Sequence, residues 1–575
     1  MDYYLSIPIP SSRFLKIKAV KVVNQESSIE FQLPSWRPGR YELGNFAKNI
    51  RSIKAYDENG KALRLEKITK DKWQVLEINC KQVTIDYEYF ASQPDAGACW
   101  VDEQMLYVNP IHCMIYESDN LHEKCNVYLD IPPTWEIACA LKETKKHVLE
   151  VNDFHELVDS PFFASATLQH QTYSVNDHLF HIWFQGECKP DWNKIIKDFE
   201  GFTKVQLEMM HKLPNAEYHF LILILPFRFY HGVEHISSTV LALGPGYKLM
   251  EEEMYNDLLG VASHELFHAW NVKTLRPKDF IVYDYTKENY SQLGWVYEGF
   301  TTYYGDLFLA RSGFFDTRNY FIEINSRLQK HFDNYGRFNL SVSDSSYDTW
   351  LDGYVPGAPA RKTNIYDEGS LIALLLDLSI RRATADKKSL DDLFYQLYND
   401  FAPQHLGYSE KDVRSLAIDL AGNNIAYVFD ELLNQPVSYE VKLNEMLSYI
   451  GCYLSKTASV FSNESLFGFR IVVEGGVTRV SNVLPGSPAE NAGLSREDEL
   501  ISCNGWKVEN NLSDLIKANL QPIELNVFSQ RKMKTIVLST DSKTYFETVR
   551  IAFIPDANDQ QKASFNSWCG LSFTI

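Results

Sequence analysis

No stretch of the 575-residue chain approaches the roughly 20 apolar residues needed to span a bilayer. The longest apolar runs, Phe220–Phe227 and Leu371–Leu376, are far shorter, so a membrane span is not expected. Basic residues are in deficit, 56 against 75 acids, for a formal charge of −19. That balance excludes a global basic footprint for nucleic acid. The nine cysteines are scattered, odd in number and without a CxxC pair. A disulfide scaffold is therefore not expected, and reduced thiols in a cytoplasmic setting fit better. Met1–Lys18 lacks the basic, apolar, small-residue order of a secretory signal. Internal repeats, low-complexity segments and long charge runs are missing too. What is present is 45% hydrophobic and 14% aromatic residues, which implies folded domains with a sizeable core. The length suggests three or four of them.

Residues 1–170 read as β. Ile29–Leu33, Trp73–Ile78, Val83–Tyr89 and Cys125–Ile131 are strand-like, with turn signals at Pro38-Gly39 and Asn59-Gly60. That spacing predicts an antiparallel sandwich. From 171 to 454 the pattern is mostly helical: Trp192–Leu213, Glu251–Thr274, Trp295–Ser312, Asp316–Phe332, Ser370–Thr384, Ser389–Asp400 and Lys411–Ala421. Tyr218–Phe227 suits a strand buried on both faces. Tyr335–Asn364, rich in Gly, Pro, Ser and Asp, reads as a long functional loop. From 455 to 575 the chain returns to β, with strands expected at Phe469–Val473, Thr478–Val483, Glu499–Cys503 and Ile523–Phe528. The fold class expected is multidomain α+β.

One segment carries chemistry. Val261–Trp270 contains His264-Glu265-Leu266-Phe267-His268, an H-E-x-x-H pattern in a helix-forming stretch. Residues four apart on a helix share a face, so His264 and His268 can hold one Zn²⁺. Glu265, about 100° around, is placed to reach an activated water instead of the metal. From 15 histidines and 75 acids, chance supplies at most about 0.05 such patterns per chain. A catalytic zinc needs a third ligand, and Glu298 is an acid in an otherwise apolar, aromatic helical segment. Its alternative role is to cap a helix or pair with Lys or Arg.

His264–Pro277, followed by Glu298 within Trp295–Tyr304, resembles the glycyl aminopeptidase family. Those are gluzincin metallopeptidases related to aminopeptidase N and thermolysin. Ser35-Trp-Arg-Pro-Gly-Arg-Tyr41 is similar to that family's N-terminal signature. Tyr230-His-Gly232-Val-Glu234-His235 is similar to its G-x-E-H segment, and Tyr366-Asp-Glu-Gly-Ser-Leu371 to its Y-x-K-G motif. His231 stands where glycine is common and Glu368 where lysine is common.

The resemblance implies a thermolysin-like catalytic domain and one Zn²⁺ on His264, His268 and Glu298. It implies Glu265 as general base and Tyr366 as oxyanion donor. Gly232, Glu234 and His235 would be substrate-binding, with Glu234 reading a free α-ammonium, which suits an aminopeptidase for small (Gly or Ala) first residues. The alternative for Glu234 is an ion pair with Arg228. Two other functional readings stay open: a zinc endopeptidase with the same ligands, and a zinc-free peptide-binding protein on a dead peptidase.

Near the C-terminus, Ser465–Arg470 resembles the carboxylate-binding loop of PDZ domains, and Ser481–Leu494 their core segment. Phe467, Gly468 and Phe469 would receive a C-terminal peptide by strand addition; the alternative is that this small sheet only packs on the catalytic domain and its groove stays empty. The sequence is silent on the oligomeric state.

Overall fold

A computed structural model describes residues 1–24, 26–519 and 522–574. The N-terminal strands build an 11-stranded sheet and a four-stranded sheet. Phe14–Val22 shows why: Leu15, Ile17 and Ala19 point into the core while Lys16 and Lys18 point out, the period-two pattern of a half-buried strand. It pairs antiparallel with Gln82–Phe90, in register Ile17↔Tyr87. One pairing departs from the antiparallel expectation, since Asp2–Ser6 runs parallel to Cys125–Asp130. All nine cysteines are free.

The middle of the chain is organised on a five-stranded sheet. Its order is Gln169–Val175, His178–Gln185, Glu217–Ile224, Ser238–Gly244 and, at one edge, Phe229–Glu234. Every residue of Glu217–Ile224 except the first is buried. Two neighbours cover it. Helices Trp192–Met210 and Glu252–Phe267 lie on one face. On the other, Tyr107 and Phe163 of the N-terminal four-stranded sheet pack against Leu221, Leu223 and Val240. Burial on both faces explains the continuous apolar run.

Three helices then converge: Glu252–Phe267, Gly299–Arg311 and Ile365–Thr384. Glycines set their spacing. A Cβ on Gly305 would stand 3.2 Å from the Cα of His264, and one on Gly299 would collide with the backbone of Gly369. Gly299 follows Glu298 and Gly369 lies one turn after Tyr366, so this close crossing brings the candidate ligand and the tyrosine together.

Two helices are shorter than their periodicity suggests. The expected helix Glu251–Thr274 stops at Phe267, and Val272 beyond it takes φ +114°, a costly value for a β-branched residue. The expected helix Trp295–Ser312 is interrupted at Glu298, which lies between Gly294–Tyr297 and Gly299–Arg311. Within the expected loop Tyr335–Asn364 are short helical turns at Tyr335–Phe338, Val342–Tyr347 and Thr349–Asp352.

The C-terminal sheet has its own core, including Phe467, Phe469, Val480, Leu500 and Leu525. It touches the middle region where Arg470 pairs with Asp333 at 2.8 Å. The last strand, Thr548–Phe553, leaves this sheet and pairs with Cys452–Thr457. Helix Asp559–Cys569 follows and buries Trp568, whose indole N–H donates to the Tyr303 hydroxyl at 2.7 Å. Among the described residues no helix is long and apolar enough to cross a membrane.

Candidate metal centre and active site

His264 lies near the end of helix Glu252–Phe267 and His268 caps it. Their Nε2 atoms are 3.1 Å apart. Glu298 Oε2 lies 3.4 Å from His268 Nε2 and 4.0 Å from His264 Nε2. Three donors around one tetrahedral ion, with bonds of about 2.0–2.2 Å, stand about 3.3–3.6 Å from one another. The arrangement therefore fits a divalent cation. The donor chemistry fits as well. His268 donates Nδ1–H to the Asn271 carbonyl at 2.7 Å, which leaves Nε2 with its lone pair facing Glu298. Burial would lower the His268 pKa, yet the Glu298 carboxylate, with Glu234 and Glu265, pushes it up to about 10. These carboxylates favour a positive charge beside the ring, which a divalent cation would supply in place of a proton on Nε2.

Asn271 braces this corner twice. Its side-chain amide donates to the Val296 carbonyl at 2.9 Å and the Thr301 hydroxyl at 3.0 Å, on either side of Glu298. The strained Val272 backbone follows directly. From the N-terminal domain, the Tyr41 hydroxyl donates to Glu298 Oε1 at 3.1 Å. The Tyr41 amide in turn donates to the Tyr354 hydroxyl at 3.2 Å. Tyr354 and Tyr366 line the same cavity, and burial pushes the Tyr366 phenol well above its ordinary value. Tyr366 thus keeps its proton and can donate.

These groups line a cavity of about 470 Å³ shared by His264, Glu265, His268, Glu298, Tyr366, Gly232 and Glu234. Glu265 is 5% exposed and Glu234 4%. Among the described residues, Glu265 Oε2 and Glu234 Oε1 are buried with no hydrogen-bond partner. Two unpaired carboxylate oxygens are expensive unless a ligand meets them. The backbone closes tightly on both: a Cβ on Gly232 would collide with the Glu265 carboxylate, and one on Gly39 with that of Glu234. Burial raises the Glu265 carboxyl well above its ordinary value, with Glu234 and Glu298 adding to the rise.

Arg228 is engaged elsewhere, pairing with Glu253 at 3.0 Å and Asp257 at 2.8 Å, so it does not neutralise Glu234. His235 stands outside the cavity. Its Nδ1 meets Asp159 at 3.1 Å, and Asp159 also accepts from Lys273 Nζ at 2.6 Å. His231 lines the cavity, whereas Glu368 is buried against His331 at 2.9 Å. Gly468 takes φ +71°, the left-handed value its loop requires. Phe467 and Phe469 sit in the C-terminal core, and Asn463 Nδ2 donates to the Phe469 carbonyl at 2.9 Å.

A second cluster, His181, Glu217 and His219, brings donor atoms equally close. It suits a metal less well. The two imidazoles stack in parallel 4.2 Å apart, so their lone pairs do not converge. Trp183 Nε1–H donates to His219 Nδ1 at 3.2 Å, which leaves the proton of the neutral ring on Nε2.

The class that fold and site define is a metallopeptidase of the aminopeptidase type. Three segments of the chain match family models. Residues 2–166 match the peptidase M61 N-terminal domain, 257–372 the M61 glycyl aminopeptidase, and 457–526 the PDZ domain. The resemblance to PDZ-bearing glycyl aminopeptidases is borne out. A solved aminopeptidase N family protein from Idiomarina loihiensis has the same fold, with a TM-score of 0.89 over 99% of both chains at 23% identity. An M1 zinc metallopeptidase from Deinococcus radiodurans, 14% identical, aligns with 76% of this chain and 94% of its own at a TM-score of 0.45. No curated protein matches the chain.

Tyr41, Tyr354, Asn271 and Gly39 were not assigned to the site from sequence. Tyr41 and Gly39 belong to the signature Ser35–Tyr41, but nothing local in it points to a partner 257 residues away.

Proposed function

We propose that the protein is a zinc aminopeptidase that removes small N-terminal residues from peptides. The observation that carries this reading is the pair of unpartnered buried oxygens, Glu234 Oε1 and Glu265 Oε2, opening on one cavity beside His264, His268 and Glu298. Those three residues would hold the zinc, which when bound supplies Lewis acidity toward a carbonyl and a water. Glu234 receives the substrate's α-ammonium, a charge match that also fixes the distance to the first peptide bond. Glu265 takes a proton from water at Oε2 and later delivers it to the leaving nitrogen. Tyr366 donates its hydroxyl proton in a hydrogen bond to the carbonyl oxygen as that atom gains negative charge. Such a donor is worth roughly 3 kcal/mol in a dry site. Tyr41 and Asn271 orient the metal ligands. The tight approach of Gly39 to Glu234 leaves little room beside the ammonium, which favours a small first residue.

The units proposed are 1–170 for the N-terminal domain, 171–454 for catalysis and 455–575 for the PDZ-like region with its extension. In that region Phe467–Phe469 would receive a peptide C-terminus. The test is zinc content together with turnover of Ala-Ala-Ala-amide and its N-acetyl form. The expected result is about one zinc per chain and cleavage of the free peptide alone. Efficient cleavage of the blocked peptide would instead indicate an endopeptidase, and a metal-free chain that binds peptides a dead peptidase.

A further inference from the structure

Edge strand Phe229–Glu234 gives the cavity a direction. Residues 230, 232 and 234 face one side, about 6.7 Å per pair. Glu234 marks the ammonium end and Gly232 lies against Glu265, so the leaving residue extends toward Tyr230. This step rests on the aminopeptidase reading above.

At that end the walls have two unusual features. Gly260 sits inside helix Glu252–Phe267, one turn before His264 on the same face. A mid-helix glycine costs about 1 kcal/mol relative to alanine. Yet a Cβ there would meet nothing within 4 Å, so no packing contact requires the glycine. What its bareness provides is room beside the metal ligands.

The second feature is charge. Asp257, Asp306, Glu323 and Asp367 all line this end. The cations there are already engaged: Arg327 with Asp306 and Asp367, Lys330 with Asp367, and Arg228 with Asp257. Glu323 makes no direct ion pair among the described residues, since Arg327 one turn on and Lys330 two turns on are committed to Asp306 and Asp367. Burial and the Asp306 charge push its carboxyl up to about 7, outweighing the opposing pull of Arg327 and Lys330. Independently, Thr302 lines the same cavity one turn after Glu298, is 6% exposed, and has a hydroxyl with no hydrogen-bond partner among the described residues.

We infer that the leaving side of the cavity is a specificity subsite for a long cationic side chain, so that peptides with Lys or Arg as second residue are preferred substrates. The aliphatic stem lies over Gly260, and the ammonium or guanidinium group reaches Glu323, with the Thr302 hydroxyl facing the incoming backbone.

The test compares kcat/KM for Ala-X-Ala-amide peptides with X = Lys, Arg, norleucine or Ala, using the metal-loaded full chain. The wild type should prefer Lys over norleucine by about tenfold, a typical worth for a partly desolvated charge pair. Glu323→Gln, at a partly buried helix position, should bring that ratio close to one. Gly260→Leu, which strengthens the helix and whose Cβ meets nothing within 4 Å, should lower norleucine relative to Ala by about tenfold. If all four peptides are cleaved with a Lys-to-norleucine ratio near one, or if Glu323→Gln leaves the ratio unchanged, the subsite is refuted while the aminopeptidase reading stands. If none of these free-amine peptides is cleaved, both fall together.

Discussion

Removing the Tyr41 hydroxyl tests whether the N-terminal domain takes part in holding the metal. In Tyr41→Phe the ring keeps its place against Phe280, Tyr297 and Trp350, and only the hydrogen bond to Glu298 Oε1 is lost. A hydrogen bond to a charged group is worth about 1.5–3 kcal/mol. At about 1.4 kcal/mol per decade, that is roughly a tenfold to hundredfold weakening of metal affinity. The range agrees with the typical cost of losing an outer-shell partner, about 10–100-fold. The assay is competition for zinc against a chelator of known affinity, with a urea titration alongside. The expected outcome is weakened affinity with an unfolding midpoint close to wild type. Unchanged affinity would show that Glu298 does not need Tyr41, and the bridging role assigned to the N-terminal signature would be lost.

Glu265→Gln should keep the metal and reduce turnover by several orders of magnitude, as measured by metal content and steady-state kinetics; near-normal turnover would remove Glu265 from the base role. Asp159→Asn should destabilise the fold by about 3–5 kcal/mol, because Lys273, 3% exposed, would keep its charge without its partner. Burial opposes ionisation of Asp159, but Lys273 and His235 hold its carboxyl far below the usual range. Its contribution is therefore present above the ordinary value of about 3.9 and is lost as pH falls below it. Urea midpoints of wild type and variant that stay equally far apart from pH 7 down to pH 2 would contradict this. Gly299→Ala should cost at least about 1–3 kcal/mol, since its methyl group would enter the Gly369 backbone; an unshifted midpoint would mean that the crossing is loose.

What could be read from sequence follows the range of the interaction. His264 and His268 are legible because four residues make one helical turn. The hairpin at Asn504-Gly505 is legible for the same local reason. Both residues take positive φ, 49° and 81°, and Cys503 pairs directly with Trp506. The end of helix Glu252–Phe267 is not legible. No Gly or Pro marks it, and the turn is enforced by Asn271 and a strained Val272, whose cost is met by contacts distant in sequence. Tyr354 joins Tyr41 across 313 positions, inside what reads as an irregular loop. Such partners come together only when domains close, and periodicity carries no trace of them.

The return of the chain at Thr548 has a practical corollary. Thr457 and Thr548 face each other across one strand pair, and everything between them leaves and re-enters the enzyme at neighbouring points. Cutting the polypeptide at 455 would strip away a strand and the helix that seats Trp568 beneath Tyr303 and Arg311. Splicing 457 to 548 through a few glycines would remove the same module as a loop and spare its foundation. That shortened enzyme, rather than a truncated one, is the proper control for asking what the module contributes.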